Sequence, residues 1–264
     1  KSGHVVVDVK FSGVNYADIC VRWGIYESAK KFVGWPITPG FEFSGIVREV
    51  PSDIDQNEFK VGDEVFGVSL FDSYASQVLV PAHQLFKKPK HLSFEQAACF
   101  PAVFMTAYHA LFQLFIFRSN TSVLIHSAAG GVGSTLVQLA KWHGAHVTGV
   151  VGSSHKVAYL KSLGVDEIID KSKQDLWSRA DEISTDGFDI ILDANGVKTL
   201  GDSFKRVKPT GKLVVYGFHT MLPKSSGKIN WLKLAYNYLK TPRFSPIDLT
   251  SSNKSVMAFN LSFL

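Results

Sequence analysis

The chain is poor in the residues that build disulfide frameworks and thiolate metal sites. Only two cysteines, Cys20 and Cys99, occur in 264 residues. Two thiols make neither a disulfide scaffold nor a four-thiolate zinc site, and they point to a reducing, cytoplasmic compartment. Charge is also sparse. The excess is +5, scattered rather than gathered into a basic block. With no aromatic–basic motif beside it, that excess gives no reason to expect nucleic acid, and it suits anionic small molecules. Internal repeats and low-complexity tracts are lacking. No start methionine or targeting segment precedes the first strand-like run at 5–7, and the chain stops in an apolar run at 259–264. Both ends therefore read as cut. One uncharged stretch, 97–117, is long enough to cross a bilayer. It carries Pro101, Thr106, His109 and Gln113, however, so a buried helix pair joining two domains is expected instead of a membrane span.

What is present centres on residues 123–133, Val-Leu-Ile-His-Ser-Ala-Ala-Gly-Gly-Val-Gly. A short β-branched run breaks into small residues, and a helical pattern follows. This is the strand, tight turn and helix start of a dinucleotide-binding βαβ unit. Ala129, Gly130, Gly131, Val132 and Gly133 are the expected cofactor contacts. Small residues let the backbone approach a pyrophosphate, and free N–H groups of the first helical turn face the anion. Ala128 stands where the first glycine of G-x-G-x-x-G would be, so the match rests on the strand–turn–helix context.

Two domains are expected, 1–97 and 98–264. In the first, strands are expected at 5–11, 42–50, 60–67 and 74–80, with turn signals between them, giving a β-rich, barrel-like domain. Ser93 with Gln96 reads as a capped helix start. Strands then alternate with helices. Strands are expected at 123–126, 147–151, 167–169, 190–192, 212–216 and 255–260, with helices starting near Gly131, His155, Lys173 and Thr199. This alternation is a doubly wound parallel sheet. The long connection 218–254 holds an aromatic-rich helix at 230–239, and a loop of that length tends to have a function.

The second strand of such a unit ends in Asp or Glu when the ligand is NAD. Here it ends Val151-Gly152-Ser153-Ser154-His155-Lys156, and no acidic residue lies between Gly133 and Asp166. Hydroxyls and a lysine suit a 2′-phosphate through charge-assisted hydrogen bonds, so Ser153, Ser154 and Lys156 point to NADPH.

Four segments together resemble the zinc-independent quinone oxidoreductases of the medium-chain dehydrogenase/reductase superfamily. They are the 128–133 turn, Gly13-Val14-Asn15-Tyr16-Ala17-Asp18, Pro39-Gly40-Phe41-Glu42 and Phe104-Met105-Thr106-Ala107-Tyr108. Val215-Tyr216-Gly217, Asn230-Trp231 and Ala258-Phe259-Asn260-Leu261 bring the chain nearest to the vesicle amine transport protein branch. Enoyl reductase domains of polyketide synthases share the central motif.

The resemblance implies a GroES-like catalytic domain, incomplete at both chain ends, followed by a Rossmann domain. It implies NADPH as cofactor, a small-molecule quinone or alkenal as hydride acceptor, and a homodimer. It leaves room for peripheral membrane contact. Asn15 and Tyr26 match positions lining the substrate and nicotinamide pocket, and Thr106 matches one near the nicotinamide. Gly131, Val132, Ser153 and Lys156 match pyrophosphate and 2′-phosphate contacts. Asn195, Tyr216, Gly217, Phe259, Asn260 and Leu261 match positions along the cofactor.

Two residues depart from the pattern. Cys20 replaces a pocket tyrosine, and Lys171 replaces a tyrosine on the 2′-phosphate side, where it still suits phosphate. Zinc-dependent relatives carry a cysteine at Asn15 and a histidine at Phe41, so no metal is expected. Taken without the resemblance, Asn15 is a turn residue and Tyr26 a core tyrosine. The rival reading is an NADPH-binding interaction protein with little turnover. In that case Trp231, Leu232 and Leu234 would be exposed to a partner or a membrane.

Overall fold

The computed structural model describes residues 2–55, 57–118, 120–222 and 229–264. The chain divides into two compact units, Lys1–Phe104 and Met105–Leu264.

The first unit is built on an antiparallel sheet. Its strands are β1 (His4–Ser12), β2 (Glu42–Glu49), β3 (Glu64–Val68), β4 (Gln77–Pro81) and β5 (Leu85–Lys87), in spatial order β4-β1-β2-β3-β5. Along the start of β1 burial alternates, so Val5 and Val7 turn inward to Phe43, Val47, Val65, Val78 and Val80 while Val6 between them is only half-buried. Register shifts in the β1–β2 pair bend the sheet, as bulges do. Helices α1 (Tyr16–Arg22), α2 (Glu27–Phe32) and α3 (Phe94–Ala98) complete the unit. The α3 cap is the expected one: Ser93 Oγ accepts the Gln96 N–H at 3.2 Å, and the Gln96 side chain accepts the Ser93 N–H at 3.0 Å. The Ser44 hydroxyl donates to Phe94 O at 2.6 Å and ties α3 to β2.

The chain passes to the second unit within α4 (Pro101–Tyr108), which continues as a π turn at His109–Gln113. Among the described residues no helix is long and apolar enough to cross a membrane. The second unit alternates β6 (Ser122–Ile125), α5 (Gly131–Trp142), β7 (His146–Val151), α6 (Val157–Ser162), β8 (Glu167–Asp170), α7 (Leu176–Ile183), β9 (Phe188–Asp193), α8 (Leu200–Lys205) and β10 (Val207–Val215). Then come α9 (Trp231–Leu239), α10 (Pro246–Ser252) and β11 (Ser255–Ala258). The strands form one parallel sheet in order β11-β10-β9-β6-β7-β8. Both faces are covered. Val123 and Ile125 of β6 pack into one core, and Leu124 between them packs into the other. Strands buried on both faces need apolar residues in succession.

Several boundaries differ from expectation for local reasons. The helix expected near Lys173 starts at Leu176, because the Asp175 side chain accepts the N–H groups of Trp177 and Ser178. A 3-10 turn, Ser154–Lys156, precedes α6 and delays it past His155. The final strand stops at Ala258 rather than running to 260. There the Asn260 carboxamide accepts the Ser262 N–H and closes a turn. The pattern did not announce α2 or α10, although Ser245 and Pro246 at the start of α10 are a helix-start signal. Of the 218–254 connection, residues 223–228 lie outside the described residues.

Candidate functional site

In the second unit the strand order reverses between β6 and β9, and such a switch point is where doubly wound sheets bind ligands. Beyond β6 the chain makes the turn at 126–130. Ser127 takes φ +53°, and Gly130 N–H closes onto Ser127 O at 2.9 Å. The first helical bond of α5 is Ser134 N–H to Gly130 O, so the N–H groups of Gly131, Val132 and Gly133 precede the helix's own ladder. Gly133 has to be small. A Cβ there would lie 2.3 Å from Ser127 O.

Beyond β9, the Asp193 carboxylate accepts the N–H groups of Asn195 at 2.7 Å and Gly196 at 3.1 Å. The Asn195 side chain reaches across the switch point, where its Oδ1 accepts the Ser127 hydroxyl at 3.0 Å. Its Nδ2 is buried and has no hydrogen-bond partner among the described residues. Tyr216 and Gly217 follow β10. Burial, with Asp193 nearby, pushes the Tyr216 phenol above its ordinary range. Phe259 lies beyond β11 with its ring 4.6 Å from that of His109, while Asn260 and Leu261 form the closing turn.

At the end of β7, Ser153 is half-buried, and Ser154 and Lys156 are exposed, as is Lys171 at the end of β8. The 133–166 interval is free of acid, yet a carboxylate reaches this corner from the next strand. The β7–β8 register pairs Val151 with Asp170, and Asp170 Oδ2 accepts the Ser154 hydroxyl at 2.5 Å. Its other oxygen accepts the N–H and hydroxyl of Ser172. Hydrogen bonds from Ser154 and then Ser172 hold Asp170 below the usual carboxylate range. The expectation of a carboxylate-free corner is corrected accordingly, and the Ser154 hydroxyl is already engaged.

In the first unit Asn15 precedes α1, and its Nδ2 donates to Glu42 Oε1 at 2.6 Å. Glu42 Oε2 accepts the Ala102 N–H at 2.8 Å. Burial raises the Glu42 pKa, the Ala102 and Asn15 bonds lower it, and Asp18 raises it. Asp18, also buried, accepts the N–H groups of Asn15 and Gly40 and the Tyr74 hydroxyl. Burial and then Asp18 push the Tyr74 phenol up to about 12 and the Cys20 thiol up to about 11. Tyr26 starts α2, with its ring edge-on to Phe41 at 5.6 Å and to Phe71 at 6.5 Å. Asn15 and Tyr26 are thus tied to adjacent residues of one segment, Phe41 and Glu42. Thr106 is half-buried on α4.

Sequence reading missed Asp18, Tyr74, Asp170, Asp193, His126 and Ser203. Of these, Asp193 and Asp170 had a local signal, each as an acidic residue ending an apolar strand run.

Residues 1–90 match the alcohol dehydrogenase GroES-like domain family, and residues 131–252 match the zinc-binding dehydrogenase family. A Danio rerio synaptic vesicle membrane protein VAT-1 homolog is 34% identical over 264 residues, covering 100% of this chain and 53% of the relative. The chain therefore spans about half the length of that relative. Among solved structures, the quinone oxidoreductase of Pseudomonas syringae pv. tomato DC3000 superposes with TM-score 0.79 at 30% identity, covering 97% of this chain and 73% of the other. The chain belongs to the medium-chain dehydrogenase/reductase superfamily. Another member, Escherichia coli quinone oxidoreductase complexed with NADPH, is similar at TM-score 0.78 and 26% identity, covering 98% of this chain and 72% of that one.

Superfamily membership and a relative solved with NADPH point to a nicotinamide cofactor, and the residues fit one. The helix start at Gly131–Gly133 offers N–H groups to a pyrophosphate. The orphaned Asn195 Nδ2 is a donor that lacks only an acceptor. Zinc, which names one of the matching families, does not fit. Among the described residues no three His, Cys, Asp or Glu side chains gather where they could share an ion. Asn15 gives one amide N–H to Glu42 and supplies neither the thiolate, imidazole nor carboxylate that zinc takes, and Phe41 offers no ligand atom. The H-x-x-H pair His143 and His146 lies beyond the far end of α5, with His143 packed on the Phe112 ring.

Proposed function

We propose that this medium-chain dehydrogenase/reductase chain reduces a quinone or an activated alkene such as an alkenal, using NADPH and no metal. The reading is carried by a dinucleotide turn at the switch point of a parallel sheet whose second strand is followed by serines and a lysine. When bound, NADPH supplies a hydride. The chain's residues bind and orient. Ala129, Gly130, Gly131, Val132 and Gly133 hold the pyrophosphate. Ser153, Lys156 and Lys171 take the 2′-phosphate, with Ser154 shared with Asp170. Asn195, Tyr216, Gly217, Phe259, Asn260 and Leu261 line the rest of the cofactor, and Thr106 lies beside the nicotinamide. Asn15 or Tyr26 donates to the acceptor oxygen as charge builds on it. A quinone or enone spreads that charge by itself and needs less help than an alkoxide would. The protein works in the cytoplasm as a homodimer.

The test is steady-state oxidation of NADPH with a panel of quinones, alkenals and enoyl thioesters. Turnover of quinones or alkenals supports the reading, and turnover of enoyl thioesters alone replaces it with an enoyl reductase.

One observation favours a second reading, an NADPH-binding interaction protein with little turnover. On α9, Trp231, Leu232, Tyr236 and Leu239 are all exposed, Leu232 at 86%, while Leu234 is half-buried. A surface of that kind suits a partner protein or a lipid surface, and the Danio rerio relative is named as a synaptic vesicle membrane protein. Tight NADPH binding without turnover on any acceptor selects this second reading.

A further inference from the structure

Three polar side chains lie wholly inside the second unit, directly beneath the switch point. His126, Asp193 and Ser203 are each 0% exposed. The Ser203 hydroxyl donates to Asp193 Oδ2 at 3.2 Å and is 3.0 Å from His126 Nε2. Since that hydroxyl hydrogen is used toward Asp193, its oxygen accepts, and the imidazole donates from Nε2. The chain of donors therefore runs from His126 through Ser203 to Asp193. The other Asp193 oxygen accepts the N–H groups of Asn195 and Gly196. Burial lowers the His126 pKa, Asp193 raises it, and Lys171 and His219 lower it, so the ring is neutral at pH 7. The Trp177 ring closes the group, nearly perpendicular to the imidazole with the ring centres 5.7 Å apart.

A serine, a histidine and an aspartate together suggest a hydrolytic triad, but the order is wrong for one. In a triad the histidine stands between the other two and takes the serine's proton. Here the serine stands in the middle and no substrate can reach it. The network ends on the 195–196 turn, which is held on its other sides as well. Thr220 donates to Asn195 O from both its N–H, at 3.0 Å, and its hydroxyl, at 2.6 Å. Gly196 sits at φ +85° with Phe218 where a Cβ would be. Ser127 fixes the Asn195 carboxamide oxygen. A turn clamped at this many points presents one unsatisfied group, Asn195 Nδ2, in a single position.

We propose that His126, Ser203 and Asp193 are positioning residues for a nicotinamide cofactor: they lock the Asn195–Gly196 turn against the glycine-rich turn, and so set the donor that Asn195 offers the cofactor. This rests on the nicotinamide reading, and it is independent of which acceptor is reduced and of the choice between NADPH and NADH. His126→Gln keeps a donor near the position of Nε2, whereas His126→Leu and Ser203→Ala break the chain.

Dissociation constants for NADPH and NADH, measured by fluorescence titration well below melting, are read beside amide hydrogen exchange at Asn195 and Gly196 in the protein without cofactor. Losing one buried hydrogen bond should weaken both cofactors by about tenfold in Ser203→Ala and His126→Leu and speed exchange at both amides by a similar factor, with His126→Gln near wild type. Where Ser203→Ala fails to fold, the two His126 variants carry the same comparison. Variants that melt earlier but keep wild-type affinities and exchange would show a purely structural role and overturn the inference alone. Wild-type protein that binds neither cofactor would overturn the nicotinamide reading, and this inference with it.

Discussion

At Gly133 a Cβ would lie 2.3 Å from Ser127 O and 2.8 Å from Ala128 Cα. Both are backbone atoms of the turn, so neither can swing aside. Gly133→Ala is expected to push α5 off β6 and cost about 1–3 kcal/mol, read as a lower Tm together with weaker cofactor binding. A variant melting at the wild-type temperature would show that the turn can yield. Tyr26 poses a finer test, because its ring packs on Phe41 and Phe71 and a phenylalanine keeps that packing. Tyr26→Phe should therefore leave Tm and NADPH affinity nearly unchanged while lowering the rate on quinones. Abolished NADPH binding, or an unchanged rate, removes Tyr26 from the proposed acceptor contact. These residues also mark how far the sequence alone can be read. The glycine turn was legible because its constraint is local, a few neighbouring atoms on one strand–turn–helix. The engagement of Asn15 with Glu42 was not, since it joins positions 27 apart through the folding of the sheet.

The ends of β7 and β8 decide cofactor preference. Lys156 is exposed at the start of α6 and Lys171 at the end of β8. Lys156→Ala should weaken NADPH much more than NADH, because only NADPH loses a phosphate contact. Equal losses would remove Lys156 from the phosphate site. Asp170 works in the other direction. Its charge sits 2.5 Å from the Ser154 hydroxyl and opposes a 2′-phosphate there. Asp170→Asn should raise the affinity for NADPH relative to NADH, measured as a fall in the NADPH dissociation constant divided by that for NADH, so that any general loosening cancels. A rise in that quotient would mean that Asp170 orients Ser154 for phosphate instead of repelling it.

All six parallel strands were legible at this scale; in the central β6, β7 and β9 burial on both faces makes nearly the whole strand an apolar run, and in β8, β10 and β11 a shorter apolar core of the strand carried the signal. The three-residue β5 and the six-residue α2 are too short to carry a period. Asp170 escaped because register brings it to the β7 corner, and register between parallel strands is set by packing over the whole sheet.

Each of the two units has its own core, and their buried titratable groups pull stability in opposite directions with pH. His126 lies in the second unit with its pKa lowered from 6.5 by burial. Below pH 6.5 the unfolded chain takes up a proton that the folded unit refuses, so the second unit loses stability as pH falls from 7 toward 5. In the first unit the Glu42 pKa is raised from 4.5, by burial first. The folded unit there holds its proton to higher pH than the unfolded chain, so stability rises as pH falls through the folded value toward 4.5. At the alkaline end, burial raises the Cys20 thiol from 9.0 to about 11. The unfolded thiol ionises first, and the first unit weakens as pH climbs from 9 toward 11.

Acid should therefore open the second unit before the first. Amide hydrogen exchange at pH 5 and pH 7 reads each unit separately, and the core of β6 and β9 should lose protection at pH 5 while that of β1 and β2 does not. His126→Gln should remove most of the acid sensitivity between pH 7 and pH 5, since the carboxylates of that unit whose pKa is lowered, Asp166, Asp170, Asp175 and Asp189, take up protons only below 3.8. Parallel loss in both units, or a His126→Gln variant as acid-sensitive as wild type, would assign the effect to some other group.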